Sequence, residues 1–360
     1  MLIRESVPLA PHTTIGLGGP ARYFCACATP AEVREALDFG RRRALPVQIL
    51  GGGSNVIFAD AGFPGLVANI AIGGVTFRAL DEGEVEVEAG AGVPWDTLVA
   101  ESVARGLSGI ECLSGIPGTV GGTPIQNVGA YGQEIADTLT EVDCLDRARL
   151  APVTFARDGC GFGYRRSRFK GADRDRYVIL AVRLRLRHGV RPVLRYPELA
   201  GAVARRGGVD TAHPARAIAL VREAVLELRR GKSMVLDPAD PNARSVGSFF
   251  LNPILAETAF AELVRGRRAA GERAEVPAYP AASGIKVSAA WLVEQAGYHR
   301  GFQRDGVGLS ARHALALVNL GGTTRSLLTL AEEIEGAVFA RFGVRLEREA
   351  VVVPAGAASR

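Results

Sequence analysis

GIECLSGIPGTVGGTPIQNVGAYGQE (109–134) decides the reading of this 360-residue chain. The stretch is dense in glycine, holds two prolines and neither lysine nor arginine, and offers only short apolar pieces. It therefore suits neither a packed helix nor a regular ladder strand, and a shaped backbone surface is the expectation. Gly115, Gly118, Gly121 and Gly122 tolerate positive φ and carry no Cβ, which would let consecutive peptide N–H groups converge on a phosphate or a flat ring. A loop that merely turns a corner is the plainer alternative. Against it stand the amides of Gln126 and Asn127 and the phenol of Tyr131, groups that could read the edge of a ring.

Outward from this loop, length and a hydrophobic share of 48% fit two or three packed domains of an ordinary globular protein. The start, MLIRESVPLAPHTTIG, has no apolar h-region, and no run approaches the roughly 18 apolar residues of a membrane span, so the expected place is the cytoplasm, away from membranes. Five cysteines (25, 27, 112, 144, 160) form no CxxC pair, and five histidines (12, 188, 213, 299, 313) show no ligand spacing. Neither a disulfide framework nor a metal is expected. The net charge of +5 is spread among acids along the chain, which points to a solvated surface and not to nucleic acid. Of 43 basic residues only Lys170, Lys232 and Lys286 are lysine. An ammonium is a compact point charge where a guanidinium is a planar fork, so these three are candidates for sites that the fork does not fit.

In order along the chain, ARYFCACA (21–28) alternates as a strand, PAEVREALDFGRRR (30–43) has helical spacing, and LPVQIL runs as a buried strand into Gly51-Gly52-Gly53-Ser54-Asn55. Strand followed by glycine turn suits a pyrophosphate, but VIFADAGFPGLVANI next reads as strand, turn and strand, which argues against a Rossmann unit. GLGGPA (16–21) is a similarly weak match. EVEVEAGAGV (84–93) is a strand and WDTLVAESVARG (95–106) a helix that delivers the chain to the central loop. FGYRRSRFK (162–170) is either a surface strand with solvated charges or an anion site in which an arginine fork grips a carboxylate or phosphate. YVILAVRLRLR closes a first region near residue 190.

Beyond it come RPVLRYPELAG, a helix (AIALVREAVLELRRGK) and a polar loop, DPADPNARSVGSFFLNP, in which Ser248 stands beside two phenylalanines. A turn residue is the plain reading of Ser248, and a hydroxyl proton donor against a water-excluding wall is the sharper one. KVSAAWLVEQAG (286–297) has amphipathic helical spacing, HALALVNL is a strand, TTRSLLTLAEEIEGAVFARFG a helix with a threonine cap, and VRLEREAVVV a last strand with Glu347 and Glu349 on one face.

The run of LGGGSN (50–55), GIPGTVGGTPIQNVGAYGQE (115–134), FGYRRSRFK, GSFFLNP (247–253), KVSAAWLVEQAG and the closing LERE resembles the MurB flavoenzymes, the UDP-N-acetylenolpyruvoylglucosamine reductases of peptidoglycan synthesis. The resemblance covers nearly the whole chain in order. It implies an α+β protein: a vanillyl-alcohol-oxidase-type FAD-binding domain in two parts, 1–70 and 71–190, and a substrate-binding domain, 191–360. FAD is then held non-covalently, its pyrophosphate on Gly51, Gly52, Gly53, Ser54 and Asn55. Its ring lies against Gly115, Ile116, Pro117, Gly118, Thr119, Gly122, Gln126, Asn127, Gly129 and Ala130. NADPH is the hydride donor and UDP-N-acetylglucosamine enolpyruvate the acceptor, reduced to UDP-N-acetylmuramate.

Catalysis then falls to Arg165, holding the substrate carboxylate, to Glu349, orienting or polarising it, and to Ser248, giving a proton to C2 with help from a water, Lys232 or Lys286. Tyr131, Tyr196, Lys232, Asn252, Lys286 and Gln295 would meet the substrate, Tyr196 through RYPEL (195–199), which resembles the branch with an inserted ligand-facing tyrosine. A monomer without metal is expected. The sequence departs from the family pattern at Leu251, where lysine is usual, at LEREA in place of LEPEV, which leaves Glu347 as the alternative to Glu349, at Pro124 and at Thr119. A flavin-dependent oxidase of the same superfamily and a catalytically dead nucleotide-sugar binder are the competing readings. The first often tethers flavin through histidine, of which none stands between His12 and His188, and the second would not need all three catalytic groups.

Overall fold

The computed structural model describes residues 1–209, 213–269, 271–272 and 274–355. The chain opens with β1 (Arg4–Pro8), β2 (Pro20–Cys27), α1 (Pro30–Arg42), β3 (Val47–Leu50), β4 (Val56–Phe58) and β5 (Phe63–Ile70). They form a sheet in the order β1-β2-β5-β3, parallel but for β1. Helix α1 begins where the sequence supplies a capping box: the Thr29 hydroxyl accepts from Glu32 N and the Glu32 carboxylate from Thr29 N, both at 3.2 Å. It lays Val33, Ala36 and Leu37 on the sheet.

β6 (Val75–Ala79), β7 (Glu84–Gly90), α2 (Trp95–Ala104), β8 (Leu107–Ser108), β9 (Gly129–Ala130), β10 (Gln133–Glu134), β11 (Leu139–Asp146), β12 (Pro152–Ala156) and β13 (Tyr177–His188) follow. The antiparallel order is β12-β11-β13-β7-β6, with β8 beside β13. Alternation in β13 sends Val182, Leu184 and Leu186 inward. On the outer face Arg183 stands in register with Glu141 and Glu88 on its two neighbours, reaching them at 2.5 and 2.8 Å, and Asp143 at 2.6 Å. One hydrophobic core joins both sheets with α1 and α2.

The remainder is helical with small sheets: α3 (Pro197–Ala204), α4 (Pro214–Gly231), β14 (Ile254–Leu255), α5 (Glu257–Ala269), β15 (Ala278–Ala281), β16 (Gly284–Val287), α6 (Ala289–Gln295), β17 (Gln303–Arg304), β18 (Val307–Leu309), β19 (Leu317–Asn319), α7 (Thr324–Phe342) and β20 (Val351–Val353). Threonine caps α7 as expected, Thr323 Oγ1 accepting from Ser326 N at 3.1 Å. β20 returns to pair with β4, and Ile15, Leu17 and Ile57 pack into the core of this last region, so the two ends of the chain are stitched together. All five cysteines are buried and unbridged. No helix among the described residues is long and apolar enough to cross a membrane.

Three local expectations need correction. Lys286 and Val287 belong to strand β16, and the helix starts only at Ala289, because Ser288 is its cap and accepts from Trp291 N at 3.3 Å. FGYRRSRFK is no strand: Gly163 and Arg166 close a tight loop through two backbone bonds of 3.0 and 3.1 Å, and Arg165 takes a φ of +51°. The last strand is only Val351–Val353; its approach runs instead along residues 249–251, with Leu251 N on Glu347 O and Glu349 N on Phe249 O.

Candidate active site

The glycine turn after β3 is jammed between two other loops. A Cβ on Gly51 would stand 2.8 Å from Thr119 Oγ1, one on Gly52 2.8 Å from Gly118 Cα, and one on Gly53 2.0 Å from the His12 carbonyl. Gly53 also has a φ of +65°. Glycine is thus required by close approach of backbones. Asn69 Nδ2 fixes the entry by donating to the carbonyls of Leu50 (3.1 Å) and Gly51 (2.9 Å). Asn55 Nδ2 fixes the exit, donating to Gln126 Oε1 (2.9 Å) and the Glu349 carbonyl (3.2 Å). The peptide N–H groups of Gly52, Gly53, Ser54 and Asn55 meet no acceptor among the described residues. Clustered free N–H groups on a glycine turn are what a pyrophosphate needs.

The central loop works differently from the expectation. Four of its amides are spent inside the protein: Gly115 N donates to Asp96 Oδ1 (2.6 Å), Val120 N to Val93 O, Gly121 N to Ala91 O and Gly122 N to Thr119 O, each of the last three at 2.9 Å, while those of Ile116, Gly118 and Thr119 meet no acceptor among the described residues. The loop is tied by its own backbone to residues 91–96, which fixes its surface. Gly121 faces that support, its Cβ position 2.6 Å from Ala91 Cβ, whereas a Cβ on Gly122 would meet nothing within 4 Å. Asn127 is spent on structure as well. Its amide donates to Glu134 Oε2 (2.7 Å) and the Gly163 carbonyl (3.0 Å) and accepts from Ala136 N (3.2 Å).

These bonds seat the FGYR loop on the central loop. Arg165 donates from Nη1 to the Asn127 carbonyl (3.2 Å) and from Nη2 to the Gly129 carbonyl (2.6 Å), and its Nε lies 3.4 Å from Glu349 Oε1. Burial pushes the Glu349 carboxyl above its ordinary value, and the charges of Arg165 and Lys170 pull it back. Glu347 points to solvent, so Glu349 is the carboxylate that belongs to the site. The bond from Glu349 N to the Phe249 carbonyl (2.8 Å) brings Ser248, one residue earlier, to the same end of this ladder. Phe249 and Phe250 are fully buried beside it, and no described group hydrogen-bonds the Ser248 hydroxyl.

Tyr164 lies beside Asn252, and Lys286 Nζ stands 4.9 Å from its ring centre. Asn252 Oδ1 in turn accepts from Ala289 N at 2.9 Å, at the start of α6. On the other flank Tyr131, at a φ of +49°, meets Tyr196 edge to face at 6.2 Å. Lys232 Nζ is 6.0 Å from the Tyr131 ring and pairs with Glu198 at 2.7 Å. The three lysines therefore all end at this site, Lys170 with an enclosed Nζ that has no acceptor. Gln295 ends α6, and its backbone carbonyl accepts from Arg341. Leu251 is buried, so an apolar contact stands where lysine is usual.

The sequence reading missed Arg229 and His313. Burial and the charges of Lys232 and Arg229 push His313 down to about 4, so it is neutral at pH 7. Only the position of Arg229, one helical turn before Lys232 and on the same face, could have marked it.

The free amides of the glycine turn and the enclosed, unpaired Lys170 Nζ and Arg229 Nε fit an anionic cofactor. A family model described as an FAD binding domain matches residues 21–149, and one for the C-terminal domain of UDP-N-acetylenolpyruvoylglucosamine reductase matches residues 238–353. A Thermobifida fusca protein named UDP-N-acetylenolpyruvoylglucosamine reductase is 47% identical over 353 residues, covering 97% of each chain. A Streptomyces coelicolor protein of the same name is 46% identical, over 97% of this chain and 90% of its own. Among solved structures, the UDP-N-acetylenolpyruvylglucosamine reductase (MurB) of Thermus caldophilus superimposes with a TM-score of 0.65 at 26% identity, covering 98% of this chain and all of that one.

Proposed function

The chain belongs to the UDP-N-acetylenolpyruvoylglucosamine reductase family, and from that premise we propose that Arg165, Ser248 and Glu349 carry its catalytic step. The reaction is the NADPH-dependent reduction of UDP-N-acetylglucosamine enolpyruvate to UDP-N-acetylmuramate in peptidoglycan precursor synthesis. Bound FAD supplies the hydride exchange between the two substrates; the protein supplies positioning, charge and a proton. Hydride arriving at C3 of the enol ether leaves negative charge on C2 and its carboxylate, and this charge must be stabilised and then protonated.

Arg165 faces that carboxylate with a guanidinium already oriented by two loop carbonyls. Glu349, when protonated, donates a hydrogen bond to the same carboxylate and polarises it. The Ser248 hydroxyl, without a hydrogen-bond partner among the described residues and walled by Phe249 and Phe250, gives the proton to C2. The observation that supports this assignment is the 3.4 Å approach of Arg165 to Glu349 at the end of the ladder that carries Ser248. Tyr131, Tyr196 and Lys232 on one flank, and Asn252 and Lys286 on the other, are assigned to the nucleotide sugar. Gly51–Asn55 is assigned to the FAD pyrophosphate and the 115–130 surface to its ring. The division into 1–70, 71–190 and 191–360, a cytoplasmic location and a monomer belong to the same reading; scattered exposed apolar side chains agree with a monomer.

An anaerobic titration tests the reading. The flavin band should bleach with NADPH and return only on addition of UDP-N-acetylglucosamine enolpyruvate. Bleaching that no enolpyruvyl sugar reverses would remove the assigned acceptor.

A further inference from the structure

Arg229, in the last turn of α4, forms no ion pair with a carboxylate among the described residues. Its Nη2 donates to the Met234 carbonyl at 2.7 Å, while its Nε is shut off from solvent and has no acceptor. The carboxylate within electrostatic reach, Asp96, is already taken: it accepts from Arg222 at 2.6 and 2.9 Å and from Gly115 N at 2.6 Å. The neighbouring cations are matched, Arg165 by Glu349 and Lys232 by Glu198. Tyr131 and His313 also face Arg229, and both are neutral at pH 7, the phenol pushed up to about 12 and the imidazole down to about 4. Gly115, at a φ of +71°, lets the central loop close over this part of α4, a Cβ there falling 2.8 Å from Leu226 Cδ2, 3.1 Å from Val235 Cγ2 and 3.6 Å from Arg229 Nε. A guanidinium cannot shed its proton, so burial without an anion is costly. Such a charge is kept where its counter-ion arrives with a ligand.

We propose that Arg229 balances the negative charge that the flavin gains on reduction, and thereby raises the reduction potential of the bound cofactor; this rests on the assignment of the FAD ring to the loop that begins at Gly115. The charge arithmetic selects this ligand. NADPH gives up a hydride, two electrons with one hydrogen nucleus, so NADP⁺ leaves and the cofactor carries one added negative charge. The second half-reaction passes the hydride on to the substrate and returns the cofactor to its first charge state. A fixed, enclosed cation on the α4 side of the ring loop favours the reduced form over the oxidised one. The diphosphate of the nucleotide sugar keeps its charge throughout, so a cation that answered it would not shift the flavin potential.

The test is the midpoint potential of the holoprotein, with oxidised-FAD affinity and the Kd for UDP measured alongside. Arg229→Met should weaken reduced relative to oxidised FAD about tenfold, a fall of about 30 mV for a two-electron couple. UDP binding should be unchanged, and Arg229→Lys should restore most of the potential. If the methionine variant fails to fold, Arg229→Gln, able to keep the bond to Met234, must show the same fall. An unchanged potential overturns the proposal, and a raised Kd for UDP at unchanged potential gives Arg229 to the diphosphate instead. Wild-type protein that takes up no FAD overturns this proposal together with the flavin reading.

Discussion

Arg165 Nε stands 3.4 Å from Glu349 Oε1 while each Nη of the same guanidinium gives one N–H to a loop carbonyl, so the pair meets at Nε and each Nη keeps a second N–H for a ligand. Lysine could not replace such a fork, because its three donors sit on one atom and cannot span acceptors that the guanidinium reaches from three separate nitrogens. Arg165→Lys should therefore lower the rate of substrate reduction about 10²–10³-fold, the range for a lost charge-stabilising donor, while NADPH still bleaches the flavin. Stopped-flow measurement of the two half-reactions separates these outcomes, and an equal loss in both would remove Arg165 from substrate chemistry.

The same pair predicts a proton movement. Burial raises Glu349, and Arg165 and Lys170 restrain the rise; Tyr164 faces the group as a neutral phenol. A substrate carboxylate docking on Arg165 adds a negative charge and occupies the restraining cation, so the Glu349 value rises further on binding. Between the free and bound values binding takes up a proton, and affinity falls as pH rises through that window. Calorimetry in two buffers of different ionisation enthalpy should register the uptake, and Glu349→Gln should abolish it. Lys170→Met should move the window to higher pH.

The hydroxyl of Ser248 is hydrogen-bonded by no described group. Ser248→Ala should leave reduction by NADPH intact and slow the return of the flavin band about 10²–10⁴-fold, the usual worth of a general acid. Loss of FAD binding instead would make Ser248 a structural residue of the GSFF turn.

Much of this site was legible in the sequence, since alternation gives β13, a capping box gives α1, and the motif order gathers Arg165, Ser248 and Glu349. What failed did so for identifiable reasons. KVSAAWLVEQ carries helical spacing throughout, but Ser288 is a better cap than a helix residue, which leaves Lys286 on a strand. The left-handed backbone of Arg165 leaves no trace in a hydrophobic pattern. Alternation puts Glu347 and Glu349 on one face and cannot show that only the second meets an arginine. Arg229 was lost among the arginines of an amphipathic helix, because isolation from carboxylates is a property of three dimensions.

Adjacent glycines give the sharpest test of where the FAD ring lies. In sequence Gly121 and Gly122 are equivalent; in space a methyl on Gly121 would press to 2.6 Å from Ala91 Cβ, and one on Gly122 would meet no protein atom within 4 Å. Neither has a positive φ. Gly121→Ala should therefore lower the stability of the apoprotein by about 1–3 kcal/mol through overpacking. Gly122→Ala should leave it unchanged or raise it by about 0.4–1 kcal/mol, because alanine restricts the unfolded chain. If the open side of Gly122 is the wall on which the flavin lies, that same methyl should weaken FAD binding at least about tenfold, read by quenching of flavin fluorescence, with the thermal midpoint of the apoprotein intact. A Gly122→Ala protein that binds FAD as tightly as the wild type would move the ring off this wall, and Arg229 would lose the ligand assigned to it.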